Sequence, residues 1–146
     1  MYANILLSTD GSEVARKGVE HGMALAKALN AKVTVITVTE APMLYLPTKA
    51  DLVSWEEARE EHASKVLYKA KDIAEQSGIS AELLHVPDEH PATAIIETAK
   101  STGCDLIVMA SHGQRGLRKL FLGSQTSEVL ADGSVPVLVV FAPADK

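Results

Sequence analysis

A single cysteine, Cys104, cannot close a disulfide within the chain, and that lack fits a reducing compartment. Long apolar runs are also missing: none approaches the roughly 20 residues of a spanning helix, and the N-terminus enters a strand pattern with no basic region before it. A cytoplasmic address without membrane insertion is the expectation. Basic charge is scarce, with 14 Lys and Arg against 19 Asp and Glu and a formal net charge of −5. That balance argues against nucleic acid or an anionic membrane as a general partner, because both reward a basic face. His21, His62, His85 and His90 show no ligand spacing with the cysteine or with one another, so no metal cluster is assigned. Cys104, where a strand begins, reads as a buried small hydrophobe rather than a nucleophile.

What is present is the composition of one ordinary domain spanning residues 1–146, with 47% hydrophobic and 23% charged residues. Short apolar runs at Ile5–Leu7, Val33–Val38, Leu83–Val86, Leu106–Met109 and Val137–Phe141 read as five strands. Several lack alternation, as expected of a parallel sheet covered on both faces. Between them lie helical patterns. Ala15, Val19, Gly22, Ala26 and Leu29 form one stripe of a first helix that Ser12 can cap. Ser54 and Glu57 have the spacing of a capping box opening a second helix that runs to about Gly78, with Trp55, Ala58, Val66, Ala70 and Ile73 inward and Glu56, Glu60, Lys65 and Lys69 toward water. Pro91 suits the first position of a third helix, with His90 at its entry and Ile95, Ile96 and Ala99 packing inward. A fourth helix begins at Ser124 and ends near Gly133.

Strands alternating with helices predict an α/β chain with an open five-stranded parallel sheet and helices on both faces, Rossmann-like, for which 3-2-1-4-5 is the common strand order. Ligands in such sheets bind beyond the carboxyl ends of the strands, where the order reverses, between the first and fourth strands. Two loops should meet there: Ser8-Thr9-Asp10-Gly11-Ser12 after the first strand, and Ala110-Ser111-His112-Gly113-Gln114-Arg115-Gly116 after the fourth. The glycines at 113 and 116 permit positive φ and let backbone amides approach an anion, as phosphate cradles require. Gly123 and Ser124 then place a turn and a hydroxyl at a helix start, where free amides and the helix dipole attract negative charge. No acidic residue stands between Asp105 and Glu128, yet His112, Arg115, Arg118 and Lys119 do, which makes this a locally cationic window in an acidic protein. Read structurally instead, these glycines make turns, Ser124 is a cap and Asp10 belongs to an Asp-Gly turn at a helix entry. The stretch from Ala41 to Val53 is apolar for a connection, and reads either as a lid beside the crevice or as packing against the sheet.

Over essentially its whole length the sequence resembles the universal stress proteins. Members that bind ATP share a glycine, two residues, a glycine, nine residues, then glycine and serine or threonine. Here this reads Ala110-Ser111-His112-Gly113, nine residues from Gln114 to Leu122, and Gly123-Ser124, so that alanine replaces the first glycine. The run from strand one into Ser8-Thr9-Asp10-Gly11-Ser12-Glu13 and the ending Ser134-Val135-Pro136-Val137-Leu138-Val139-Val140 also look like that family. The resemblance implies a stress-response protein binding an adenine nucleotide. Asp10 would face the ribose or a bound Mg2+, and the Val38 backbone would meet adenine. The phosphates would lie between Ala110 to Gly116 and the amides of Ser124, Gln125 and Thr126. It further implies a homodimer through the last strand, whose Val137–Phe141 run is uninterrupted and apolar at an expected sheet edge. A regulated protein partner would read the nucleotide.

Enzymatic readings find less support. No Walker loop is present, no Gly-x-Gly-x-x-Gly follows the first strand, and the first loop lacks the paired glycines of folds that attack an α-phosphate. Slow ATP hydrolysis is the most expected. A phosphoacceptor receiver would need a second acidic residue beside Asp10 and a suitably placed lysine, which Val135 to Phe141 lacks. A family member without nucleotide is the remaining alternative, and Ala110 is the residue that favours it.

Overall fold

In a computed structural model, residues 1–40, 48–88, 90–113 and 122–143 are described. They form β1 (Asn4–Ser8), α1 (Glu13–Leu29), β2 (Lys32–Thr39), α2 (Lys49–Gln76), β3 (Ala81–Pro87), α3 (Pro91–Ser101), β4 (Leu106–Gly113), α4 (Ser124–Asp132) and β5 (Val137–Pro143). All pairings are parallel and the order is β3-β2-β1-β4-β5, the arrangement expected from the sequence.

Strand periodicity divides the core in two. Ile5, Leu7, Val33, Val35, Leu106 and Val108 point to one face and pack with Val19, Met23 and Ala26 of α1 and Leu67, Ala70 and Ala74 of α2. Leu6, Ile36, Ile107 and Met109 point to the other and pack with Ala92, Ile95 and Ala99 of α3 and Val129 of α4. With both faces covered, strands lacking alternation are the stable solution. Helix α1 lies close on its face because it carries small residues there. A Cβ at Gly22 would collide with Leu7, and one at Gly18 would stand 2.9 Å from the Ala110 Cβ.

The helix entries follow local chemistry. Ser12 Oγ accepts the Ala15 amide at 3.1 Å to cap α1. Helix α2 begins earlier than the Ser54–Glu57 spacing indicates. Thr48 is its cap: its Oγ1 accepts the Asp51 amide at 3.1 Å and donates to Asp51 Oδ2 at 2.9 Å, so Ser54 is an exposed interior position. The inward stripe shifts accordingly to Ala63, Val66, Leu67, Ala70 and Ala74, Trp55 and Ile73 are half-buried, and Ala58 is exposed. Glu56, Glu60, Lys65 and Lys69 do face water. Pro91 opens α3 after His90, and α4 spans Ser124 to Asp132 with Gly133 in the left-handed conformation as its stop. The part of the apolar connection before Thr48 lies outside the described residues, while Lys49 to Val53 form the first turns of α2.

One difference bears on the site. Strand β4 does not end at Met109. Ala110, Ser111, His112 and Gly113 continue it, in register with Val140, Phe141, Ala142 and Pro143 of β5. These residues are weak strand formers, and it is the ladder with β5 that holds them extended.

Candidate functional site

The sheet opens between β1 and β4. Their pairing stops at Leu7 and Val108, whereas β1 keeps its partner on the other side through Ser8 and Ile36, with the Thr9 amide donating to the Ile36 carbonyl at 3.0 Å. Beyond that point lies a cavity of about 140 Å³ lined by Ser8, Thr9, Asp10, Ser12, Val14, Ala15, Val38, Met109, Ala110 and Gln125. It sits where strand order reverses, beyond the carboxyl ends, as expected for this architecture. Ligand sites usually enclose about 300–1,000 Å³, so this cavity is base-sized or sugar-sized and would be one end of a longer site. A groove of about 510 Å³ between α1 and α2 is larger. It touches the β1 turn at Thr9, Gly11 and Ser12 but runs away from the sheet between the two helices, and its Arg16 is already engaged with Glu20 at 2.7 Å and Glu13 at 3.6 Å. We therefore assign the site by topology and not by volume.

Asp10, Val38, Ala110 and Gln125 are brought together on the cavity wall. Asp10 stands in a tightly wired turn. Its Oδ1 accepts the Ser12 amide at 2.9 Å, Thr9 Oγ1 accepts the Gly11 amide at 3.1 Å, and Gly11 has φ of 82°. The turn role read from the sequence is thus realised, and the carboxylate is exposed at the cavity edge as well. Glycine is required at 11 by its positive φ, and a Cβ there would also meet Val66 Cγ2 at 2.9 Å.

The β4 side differs from the loop expected. Ala110 is a strand residue whose methyl faces Gly18 of α1, so the volume added by alanine is taken up by a glycine in the helix opposite. Ser111 is buried on the other face of the sheet, and His112 and Gly113 follow in the strand. Gln114, Arg115 and Gly116 lie outside the described residues.

On the α4 side, Gly123 is the N-cap with φ of −61° and ψ of 158°, a conformation open to any residue, and a Cβ there would meet none of the described residues within 4 Å. The glycine is therefore not needed for the turn. It brings no side-chain oxygen, no side chain caps α4 among the described residues, and no acidic residue occupies its first turn. The amides of Ser124, Gln125 and Thr126 belong to the first turn of a helix and have no partner within it. This is the reverse of α1, where Ser12 occupies the equivalent position and Glu13 adds a negative charge. Two helix starts flank one crevice, and of the two the α4 start is the one left open for an anion among the described residues.

Sequence reasoning missed Val14, Ala15 and Met109 as lining residues. It also missed Gly18, whose signal was present as a second small residue four positions before Gly22. Cys104 is buried, with its Sγ 3.2 Å from Thr102 Oγ1, and burial pushes its thiol pKa upward, which suits a packing role. Among the described residues no helix is long and apolar enough to cross a membrane.

Comparison with known proteins agrees with this geometry. The chain is 36% identical to universal stress protein MJ0531 of Methanocaldococcus jannaschii, over 98% of this chain and 84% of that protein. The solved universal stress protein UspA of Lactobacillus plantarum shares the fold with a TM-score of 0.78 at 24% identity, covering 95% of this chain and 97% of that one. A universal stress protein solved in complex with cAMP aligns with a TM-score of 0.72 and 25% identity, over 95% of this chain and 97% of that one. The family model described as the universal stress protein family matches residues 1–140, and with the strand order, the crevice and the open α4 start in place, the chain belongs to that family.

Proposed function

We propose that this protein is a nucleotide-binding regulatory member of its family that holds ATP, alone or with Mg2+, in the crevice between β1 and β4. The observation that carries the reading is the uncapped start of α4 beside a cavity that also collects Asp10, Val38 and Ala110. In this arrangement the base lies against the Val38 end. The ribose or a Mg2+ ion meets the Asp10 carboxylate, which can accept hydroxyl hydrogen bonds or ligate through oxygen. The phosphates reach the amides of Ser124, Gln125 and Thr126, with the cationic stretch from His112 to Lys119 supplying countercharge. The cAMP held by a related protein supports an adenine nucleotide as the ligand class. The placement of the Ala110 methyl toward Gly18 supports a site that keeps room for nucleotide despite the alanine.

The role is binding rather than turnover, with occupancy read by a partner protein or a second copy in the cytoplasm. The second copy would pair along β5, which lies at the sheet edge and carries Phe141, 39% exposed. Gly123→Val tests the phosphate assignment. Because no described residue lies within 4 Å of a Cβ at 123, the fold should tolerate valine, while ATP affinity by calorimetry should fall at least about tenfold, or ~1.4 kcal/mol. Unchanged affinity would move the phosphates elsewhere.

A further inference from the structure

Helix α2 is 28 residues long, about 42 Å at helical rise, while its neighbour β2 has eight residues, about 26 Å. Its first turns therefore overhang the strands at their carboxyl end, and none of residues 49–62 is buried. A side chain from this overhang nevertheless reaches the sheet. The Arg59 guanidinium carbon lies 4.5 Å from the Trp55 ring centroid, and Nη1 donates to the Glu40 carbonyl at 3.3 Å. Its Nε is buried with no hydrogen-bond partner among the described residues, a placement that costs free energy and calls for a reason.

The contact falls at the exit of β2, directly after Val38 on the cavity wall. Other bonds converge on the same point. The Asp88 amide donates to the Thr39 carbonyl at 2.9 Å, and Thr39 Oγ1 and His85 Nε2 are 2.6 Å apart. The strand end is thus braced from β3 on one side and from α2 on the other. We propose that Arg59, held flat by Trp55, is a positioning residue that fixes the backbone from Val38 to Glu40 and so sets which base the pocket accepts. This rests on the nucleotide reading above. Without the brace the backbone at Val38 is free to shift, and donors and acceptors that select adenine lose their fixed spacing, as happens when the support of a binding group is removed.

The test compares the parent with Arg59→Met, which keeps the apolar stem but no donor, and Arg59→Lys, which keeps a donor for the Glu40 carbonyl. ATP and GTP affinities are measured by calorimetry, with amide hydrogen exchange at Val38 to Glu40 in the ligand-free protein and urea midpoints alongside. Arg59→Met should speed exchange at these amides and reduce the ATP-to-GTP preference at least fivefold, and Arg59→Lys should restore most of it. A merely structural role would lower the urea midpoint and leave the preference unchanged, which overturns the inference while the nucleotide reading stands. A parent that binds neither nucleotide overturns both.

Discussion

The contact between Gly18 and Ala110 makes a quantitative prediction about the position where this chain departs from the family's glycine pattern. In Gly18→Ala the new Cβ would stand 2.9 Å from the Ala110 Cβ and 3.4 Å from the Ala110 amide nitrogen, closer than ordinary van der Waals contact. Overpacking of this kind costs about 1–3 kcal/mol, and the gain in helix propensity of ~1 kcal/mol returns part of it. The single variant should be destabilised by up to about 2 kcal/mol. Ala110→Gly removes a packed methyl, about 0.8 kcal/mol, and adds backbone freedom in a strand, about 0.5–1 kcal/mol, so it should lose about 1–2 kcal/mol. Combined, the two changes move one methyl from strand to helix across the same space, and the collision disappears. The double variant should be about 1–2 kcal/mol more stable than the sum of the singles, read from urea unfolding as a double-mutant cycle. Additivity within about 0.5 kcal/mol would refute the packing argument. Because the methyl faces α1, Ala110→Gly should also leave ATP affinity within about threefold, or ~0.7 kcal/mol. A tenfold gain would mean that the methyl reaches the ligand.

Asp10→Ala removes the acceptor of the Ser12 amide, which should lower stability by about 0.5–1.5 kcal/mol and weaken ATP binding, and an affinity unchanged from the parent's both with and without Mg2+ would confine Asp10 to the turn. Burial, and secondarily the charge of Arg59, lowers the pKa of His85 below its ordinary value. The unfolded chain then takes up this proton first, so stability is full above about pH 6.5 and is lost as pH falls below it. His85→Gln should flatten that fall in urea titrations between about pH 7.5 and 5.5, and an equal slope in parent and variant would show that His85 does not contribute. Val139→Lys places a charge in the edge strand and should convert a dimer to monomer in sedimentation at micromolar concentration, whereas a parent that is already monomeric removes the β5 interface.

The order of elements was legible because each strand has an apolar run and each helix a stripe, and the parallel class follows from their alternation. Local signals failed where another residue competed for the same job. Thr48 with Asp51 caps α2 before Ser54 and Glu57 can. The extension of β4 through Ala110 to Gly113 was invisible for a different reason, since it depends on pairing with β5, a contact far away in sequence. The site was legible in part: the Asp10 turn and the α4 start stand where spacing put them. The glycine at 123 reads from the sequence as a turn or as a close approach of backbone to phosphate; its φ is ordinary, so the turn does not require it, and it brings no side-chain oxygen to the amides beyond it.

The most direct measurement is the identity and affinity of nucleotide bound by the unmodified chain. Protein purified without added nucleotide would be denatured to release small molecules for chromatography, and stripped protein titrated with ATP by calorimetry with and without Mg2+. The account predicts an adenine nucleotide in the released fraction and saturable binding of one ATP per chain. Stripped protein that gives no heat with ATP, and a purified sample that releases no nucleotide, would contradict it.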